Sequence, residues 1–110
     1  MAHAFAGWGI PTALALIEAR RAAPDLVLFA SGGIRGGVDA AKALRLGAAL
    51  VGSAAPMLGS ATATADAVVA RMQRLIDELR IACFCTGARD LAALRRAVLR
   101  RESDWGVVSD

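Results

Sequence analysis

Residues 29–48 read FASGGIRGGVDAAKALRLGA: an apolar run, four glycines around a single arginine, then an amphipathic segment. Gly32, Gly33, Gly36 and Gly37, with Arg35 among them, are the residues best suited to chemistry, and that chemistry is the holding of an anion. Glycine lets backbone N–H groups come close to a ligand. The start of a helix offers N–H groups without partners and a dipole that favours negative charge. Arg35 adds a planar donor fork that keeps its charge. The competing reading is steric, because a tight strand-to-helix turn uses glycine whatever it binds.

Two nucleotide motifs are excluded by spacing. The four glycines do not fit G-x-G-x-x-G. Gly32 and Gly37 have the glycine spacing of a P-loop, but Val38 and Asp39 stand where that loop needs Lys and Ser or Thr. A second loop of small residues, GSAAPML (52–58), follows another apolar run about one βα unit later. In (β/α)8 barrels the loops after two successive strands often form one phosphate site, so the pair of loops strengthens the anion reading.

Other chemistry-bearing residues are sparse. His3 is the sole histidine, near the start of the sequence and without support. Cys83 and Cys85 flank Phe84 in an apolar stretch. They stand too close for an easy disulfide, no zinc pattern surrounds them, and they read as buried thiols in a reducing compartment. The acidic residues fall mostly where helix surfaces or caps are expected. No catalytic residue and no metal ligand is assigned.

The elements that must position the loops follow from the pattern. FAGWGIPT (5–12) reads as a loop, with Pro11 as the first residue of a helix, TALALIEARRAA, whose apolar side holds Leu14, Ile17 and Leu16. LVLFAS (26–31) is apolar without alternation, the mark of a strand buried on both faces. VDAAKALRLG is helical, with Val38, Ala41, Leu44 and Ala48 on one side and Gly47 as its C-terminal cap. AALVGSA is a second buried strand and APMLGS a loop. Thr64 caps a long helix, with Asp66 in its first turn and an apolar stripe of Val68, Val69, Met72, Leu75, Ile76 and Leu79. Arg71, Arg74, Asp77, Glu78 and Arg80 lie mainly off that stripe. TGARD breaks the pattern, and Asp90 caps LAALRRAVLRR. Strands alternating with helices imply βα units and parallel pairing.

The bulk numbers agree with a small domain that hides part of its surface. The chain has 110 residues, is 56% hydrophobic and 21% charged, and carries a net charge of +3. A chain this short and apolar implies surface meant for burial against something else. Arg95, Arg96, Arg100 and Arg101 read as a solvated helix face rather than a nucleic-acid patch, since no aromatic residues interleave with them. No signal peptide and no membrane-length apolar segment is evident, so a cytoplasmic location is expected.

GWGIPTALAL, FASGGIRGGVDAAKALRLGAALVGSAAPML and LIDELRIACFCTGARDLAAL resemble the C-terminal part of type 2 isopentenyl-diphosphate isomerase, an FMN-dependent (β/α)8 barrel. The resemblance spans residues 5–99, with 100–110 a divergent tail, and residues 1–110 as a whole read as a single partial domain. The glycine–arginine block is shared by many FMN barrels; WGIPT and ELRIACFCTG narrow the resemblance to the isomerase. It implies an α/β fold: the C-terminal portion of a (β/α)8 TIM barrel, about two βα units plus C-terminal helices, not a closed barrel by itself. It implies that Gly33, Ile34 and Arg35 line the FMN phosphate, that Gly32 shapes the turn, and that Ala54 and Ala55 close the other side. The family usually has Gly at the second of these, and Ala55 adds a methyl group. Thr12 would reach the flavin through its hydroxyl or cap its helix, and Trp8 would sit near the barrel mouth or anchor the core.

The implied reaction interconverts isopentenyl and dimethylallyl diphosphate in isoprenoid biosynthesis, with Mg²⁺ and NADPH serving the full-length family at sites outside this chain. A closed barrel takes about 250 residues. The expectation is therefore an FMN-phosphate-binding piece, inactive alone and prone to homo-oligomerise or aggregate through open sheet edges. The alternatives are a half-barrel module of another FMN-dependent oxidoreductase family and a non-catalytic oligomeric interaction module.

Overall fold

The computed structural model describes residues 2–100 and 104. After a single 3-10 turn at Ala2–Phe5 come α1 (Thr12–Ala22), β1 (Phe29–Ala30), α2 (Gly37–Arg45), β2 (Leu50–Val51), α3 (Ala55–Ala61), α4 (Ala65–Cys85) and α5 (Leu91–Leu94). The expected alternation is present: β1 and β2 pair in parallel, Phe29 opposite Leu50 and Ala30 opposite Val51, with α2 as the crossover. Backbone bonds extend the pairing at both ends, from Ala49 N–H to the Leu28 carbonyl and from Gly52 N–H to the Ala30 carbonyl, each 2.8 Å. Among the described residues the sheet has two strands and does not close.

Both strands are shorter than the apolar runs suggested, because a strand extends only where a neighbour takes its hydrogen bonds. Burial on both faces is not seen either. Leu28 and Ala30 are buried, whereas Val27 and Phe29 are exposed, Phe29 at 69% against 2% for Ala30. The core lies on the helix side, where Leu16 of α1, Leu28, Ala30, Ile34, Ala40, Ala43 and Ala48 pack together. A second cluster joins Ala41 and Leu44 of α2 to Ala88 and Leu94.

Helix ends follow local chemistry. Gly47, with φ +109°, closes α2: its own N–H returns to the Leu44 carbonyl and that of Ala48 to Ala43, a Schellman cap, as the sequence predicted. Gly87 closes α4 the same way. The Thr64 hydroxyl accepts from Ala67 N–H at 3.1 Å, and Asp90 accepts from Ala93 N–H at 2.7 Å, so both expected N-caps form. Pro11 is the residue before α1 rather than its first; Thr12 takes that place.

Other expectations are corrected. APMLGS is not a loop: Ala55–Ala61 is helical, with Pro56 in its first turn, where a missing N–H costs nothing. In α1 it is Leu16 that is buried, while Leu14 is exposed. Val38 is exposed at the edge of α2. In α4 only half of the expected apolar stripe faces inward: Val68, Leu75 and Leu79 are half-buried, together with Arg71, Glu78 and Ala82, whereas Val69, Met72 and Ile76 are exposed. α2 crosses α4 closely at Gly37, where a Cβ would overlap the Leu79 nitrogen and the Leu75 carbonyl. That crossing decides which side of α4 faces inward.

α5 stops at Leu94, earlier than the pattern implied, because the chain tightens to three-residue bonds and Arg45 Nε captures the Ala97 carbonyl. The arginines remain exposed at 95, 96 and 100. Arg101 and most of the tail lie outside the described residues. Cys83 is half-buried and Cys85 exposed, both as free thiols, so the expected pair of buried thiols is not found. Trp8 does not anchor the core: it is 83% exposed and meets Phe5 edge-on at 6.1 Å.

Candidate anion-binding site

The turn after β1 runs through Gly32 at φ +91° and Gly33 at φ +71°. Side chains rarely adopt that left-handed region, so these two glycines are required by the backbone path itself. The turn is held from three sides. The Thr12 hydroxyl donates to the Gly32 carbonyl at 2.9 Å, tying the start of α1 to it. Ser53 Oγ donates to the Ile34 carbonyl at 2.7 Å, tying the second loop to the first. Arg71 Nη2, from α4, donates to the Arg35 carbonyl at 2.6 Å.

These ties shape an open hollow of about 690 Å³ above the ends of the two strands. Gly32, Gly33, Ile34 and Arg35 form one wall; Gly52, Ala54, Ala55 and Pro56 face them, with Ser31 and Arg71 completing the rim. Six of the seven residues singled out from sequence therefore meet around one cup. Thr12 does not line it; its hydroxyl is spent on the turn, and it makes no capping bond. Ala54 and Ala55 have ordinary backbone conformations, since among the described residues every positive φ belongs to glycine. Nothing in the path of the second loop demands glycine at position 55.

Donors decide what the cup can hold. The N–H groups of Gly33, Ile34 and Ala54 have no hydrogen-bond partner among the described residues. The Arg35 side chain is exposed at the same mouth. Several free N–H groups beside a guanidinium make a site for a small oxyanion. The N-terminus of α2 is partly occupied. Gly37 N–H is taken by Glu78 Oε2 at 2.7 Å, and Arg35 N–H by Asp39 Oδ2 at 3.1 Å. The carboxylates of Glu78 and Asp39 thus occupy part of the helix start, while the loop N–H groups of Gly33, Ile34 and Ala54 stay open.

Sequence reasoning missed Ser53, Asp39, Glu78 and Arg71. Positions 71, 75, 78 and 82 recur at helical spacing, so Arg71 and Glu78 share one side of α4, but only the crossing with α2 marks that side as the inner one. Among the described residues no three His, Cys, Asp or Glu side chains stand together as a metal site. No helix of the described residues is long and apolar enough to cross a membrane.

Comparison with known proteins gives this loop pair a context. The family model for FMN-dependent dehydrogenases matches residues 8–101, and the chain belongs to that family. Its relatives include proteins named isopentenyl-diphosphate delta-isomerase. One from Xanthobacter autotrophicus is 62% identical over 99 residues, covering 90% of this chain and 29% of the relative. Another, from Cronobacter sakazakii, is 56% identical over 104 residues, covering 94% of this chain and 30% of the relative. A third, from Synechocystis sp., is 48% identical over 99 residues, 90% of this chain and 28% of the relative. The chain thus spans about 30% of the length of these relatives.

Proposed function

We propose that this chain forms the FMN-phosphate-binding part of a type 2 isopentenyl-diphosphate isomerase, its two βα units belonging to a (β/α)8 barrel. The observation that carries the reading is the convergence of two loops, from the same end of adjacent parallel strands, on one cup lined by free N–H groups and Arg35. Gly33, Ile34 and Ala54 would donate backbone N–H groups to the phosphate, and Arg35 would add its guanidinium. Gly32 supplies the turn, Ala55 the facing wall, and Thr12, whose hydroxyl holds the turn from beside the end of β1, would also meet the flavin. When bound and reduced, the flavin would supply the proton-transfer chemistry for interconverting isopentenyl and dimethylallyl diphosphate. The chain's own residues bind and orient it. Among the described residues no three His, Cys, Asp or Glu side chains stand together to hold Mg²⁺.

The exposed side of the sheet supports the barrel reading, because Val27, Phe29 and Leu50 lie where further strands would cover them. With one part of the flavin site in hand, the chain alone is expected to show no isomerase turnover.

Flavin fluorescence anisotropy tests the reading. FMN titrated with the full chain should gain anisotropy, riboflavin should not, and inorganic phosphate should reverse the gain. Equal binding of FMN and riboflavin, or binding of neither, would overturn it. A second reading keeps the same cup in a different FMN-dependent oxidoreductase, and the match to a family described as FMN-dependent dehydrogenase favours it. Oxidation of a 2-hydroxy acid, rather than isomerisation, by a barrel carrying this segment would decide for it.

A further inference from the structure

We infer that Arg71 is a second cationic ligand of the cup, making it a two-arginine site matched to the dianion of a phosphate monoester; the inference rests on the FMN reading above. Arg71 reaches the cup from α4, some thirty-five positions beyond the glycine turn, and lines its rim with Arg35.

Three observations carry the inference. Arg71 is half-buried, and its Nη2 donates to the Arg35 carbonyl at 2.6 Å, so one edge of the guanidinium is fixed against the loop. That bond uses one of five donors, leaving others for a ligand. Neither arginine has a carboxylate partner: among the described residues the ion pairs are Arg80–Asp77 and Arg89–Asp90. The two carboxylates that bond to this stretch of backbone, Asp39 and Glu78, are each engaged by a backbone N–H instead.

Two unpaired arginines at one mouth repel each other, and an anion between them relieves that repulsion. The charge match also points to the class of ligand. A phosphate monoester carries close to two negative charges near neutral pH, its second ionisation falling at about pH 6. A fixed planar fork beside three N–H groups suits a terminal phosphate with three oxygens more than a bridging phosphodiester with two.

The test compares FMN affinities of the full chain and three variants by fluorescence anisotropy, with thermal melting as the check on folding. Arg71→Gln should weaken FMN binding by about tenfold, the equivalent of one charge-assisted hydrogen bond. Arg74→Gln, which removes the same charge from an exposed position on the same helix, should change affinity less than about twofold. Arg71→Lys keeps the charge but loses the fork, and should fall between them. Unchanged affinity in Arg71→Gln, or an equal loss in Arg74→Gln, would overturn the role of Arg71 while leaving the FMN reading standing. If Arg71→Gln does not fold, Arg71→Lys decides: a measurable loss supports the role and wild-type affinity overturns it. A wild-type chain that does not distinguish FMN from riboflavin overturns the FMN reading itself, and this inference with it.

Discussion

Leu28 and Ala30 leave β1 on one side, Val27 and Phe29 on the other, and the two sides meet different surroundings. The first pair is packed under α1 and α2 with Leu16, Ala40, Ala43 and Ala48. The second pair, with Leu50 from β2, is exposed. Both sides are equally apolar, so residue type alone does not account for the contrast. A continuous apolar run belongs to a strand covered on both faces. The described residues supply a cover for one. The cup sits at the strand ends on the finished side of the molecule, where each loop is held by side chains from other elements. Loops can therefore be held in a fixed cup beside a sheet that is only half covered.

The largest test of this contrast is Leu28→Ala. Removing a packed leucine side chain costs the transfer of its methyl and methylene groups and leaves a cavity, so the loss in unfolding free energy should be about 3 kcal/mol. Urea melts of the full chain read it directly. A loss below about 1 kcal/mol would mean that the helix side is packed no better than the open side, and the comparison would fail.

Gly37→Ala should follow, with a loss of about 2 kcal/mol from overpacking. The added Cβ would meet the backbone of α4 rather than a side chain able to swing away. It would also press on Glu78, whose carboxylate holds Gly37 N–H. Relief requires α2 and α4 to separate, which loosens the helix side while leaving the open side untouched. A melt unchanged from wild type would show that the crossing has slack.

The legible parts of this fold are those fixed by local chemistry. Gly32 and Gly33 are needed because the chain itself turns left-handed there, and the run of glycines reveals that without knowledge of any neighbour. Gly47, Thr64 and Asp90 end their helices through bonds spanning a few residues. The pairing of two small-residue loops after two apolar runs already implied one cup. What could not be read depends on where distant elements meet. The apolar stripe of α4 turns inward only in part: Val68, Leu75 and Leu79 are half-buried, but Val69, Met72 and Ile76 are exposed, and Arg71 and Glu78 take inward positions on the side that meets α2. Strand lengths depend on which neighbours are present to bond. The end of α5 depends on Arg45, more than fifty residues away in sequence, taking the Ala97 carbonyl. Trp8 does not anchor the core, and the apolar stretch around Cys83 and Cys85 does not bury both thiols, because residue type does not say whether a covering surface is within reach.

Phe29→Ser should have the smallest effect on stability, and it tests the open side itself. The phenyl ring is mostly in solvent, so replacing it removes little packing from the folded chain, and the change in unfolding free energy should be within about 0.5 kcal/mol. Its effect should fall on association instead. An apolar, half-covered parallel sheet favours contact with another copy or with further strands. A serine in its centre makes that contact less favourable by uncovering a hydroxyl that must then lose water. Sedimentation velocity across a concentration series should show wild type associating at lower concentration than Phe29→Ser, with both melting alike when dilute. If Phe29→Ser instead loses as much stability as Leu28→Ala, the side that stands open in the structure is covered in solution. The two faces of β1 would then be equivalent, and the finished cup would sit on a finished sheet.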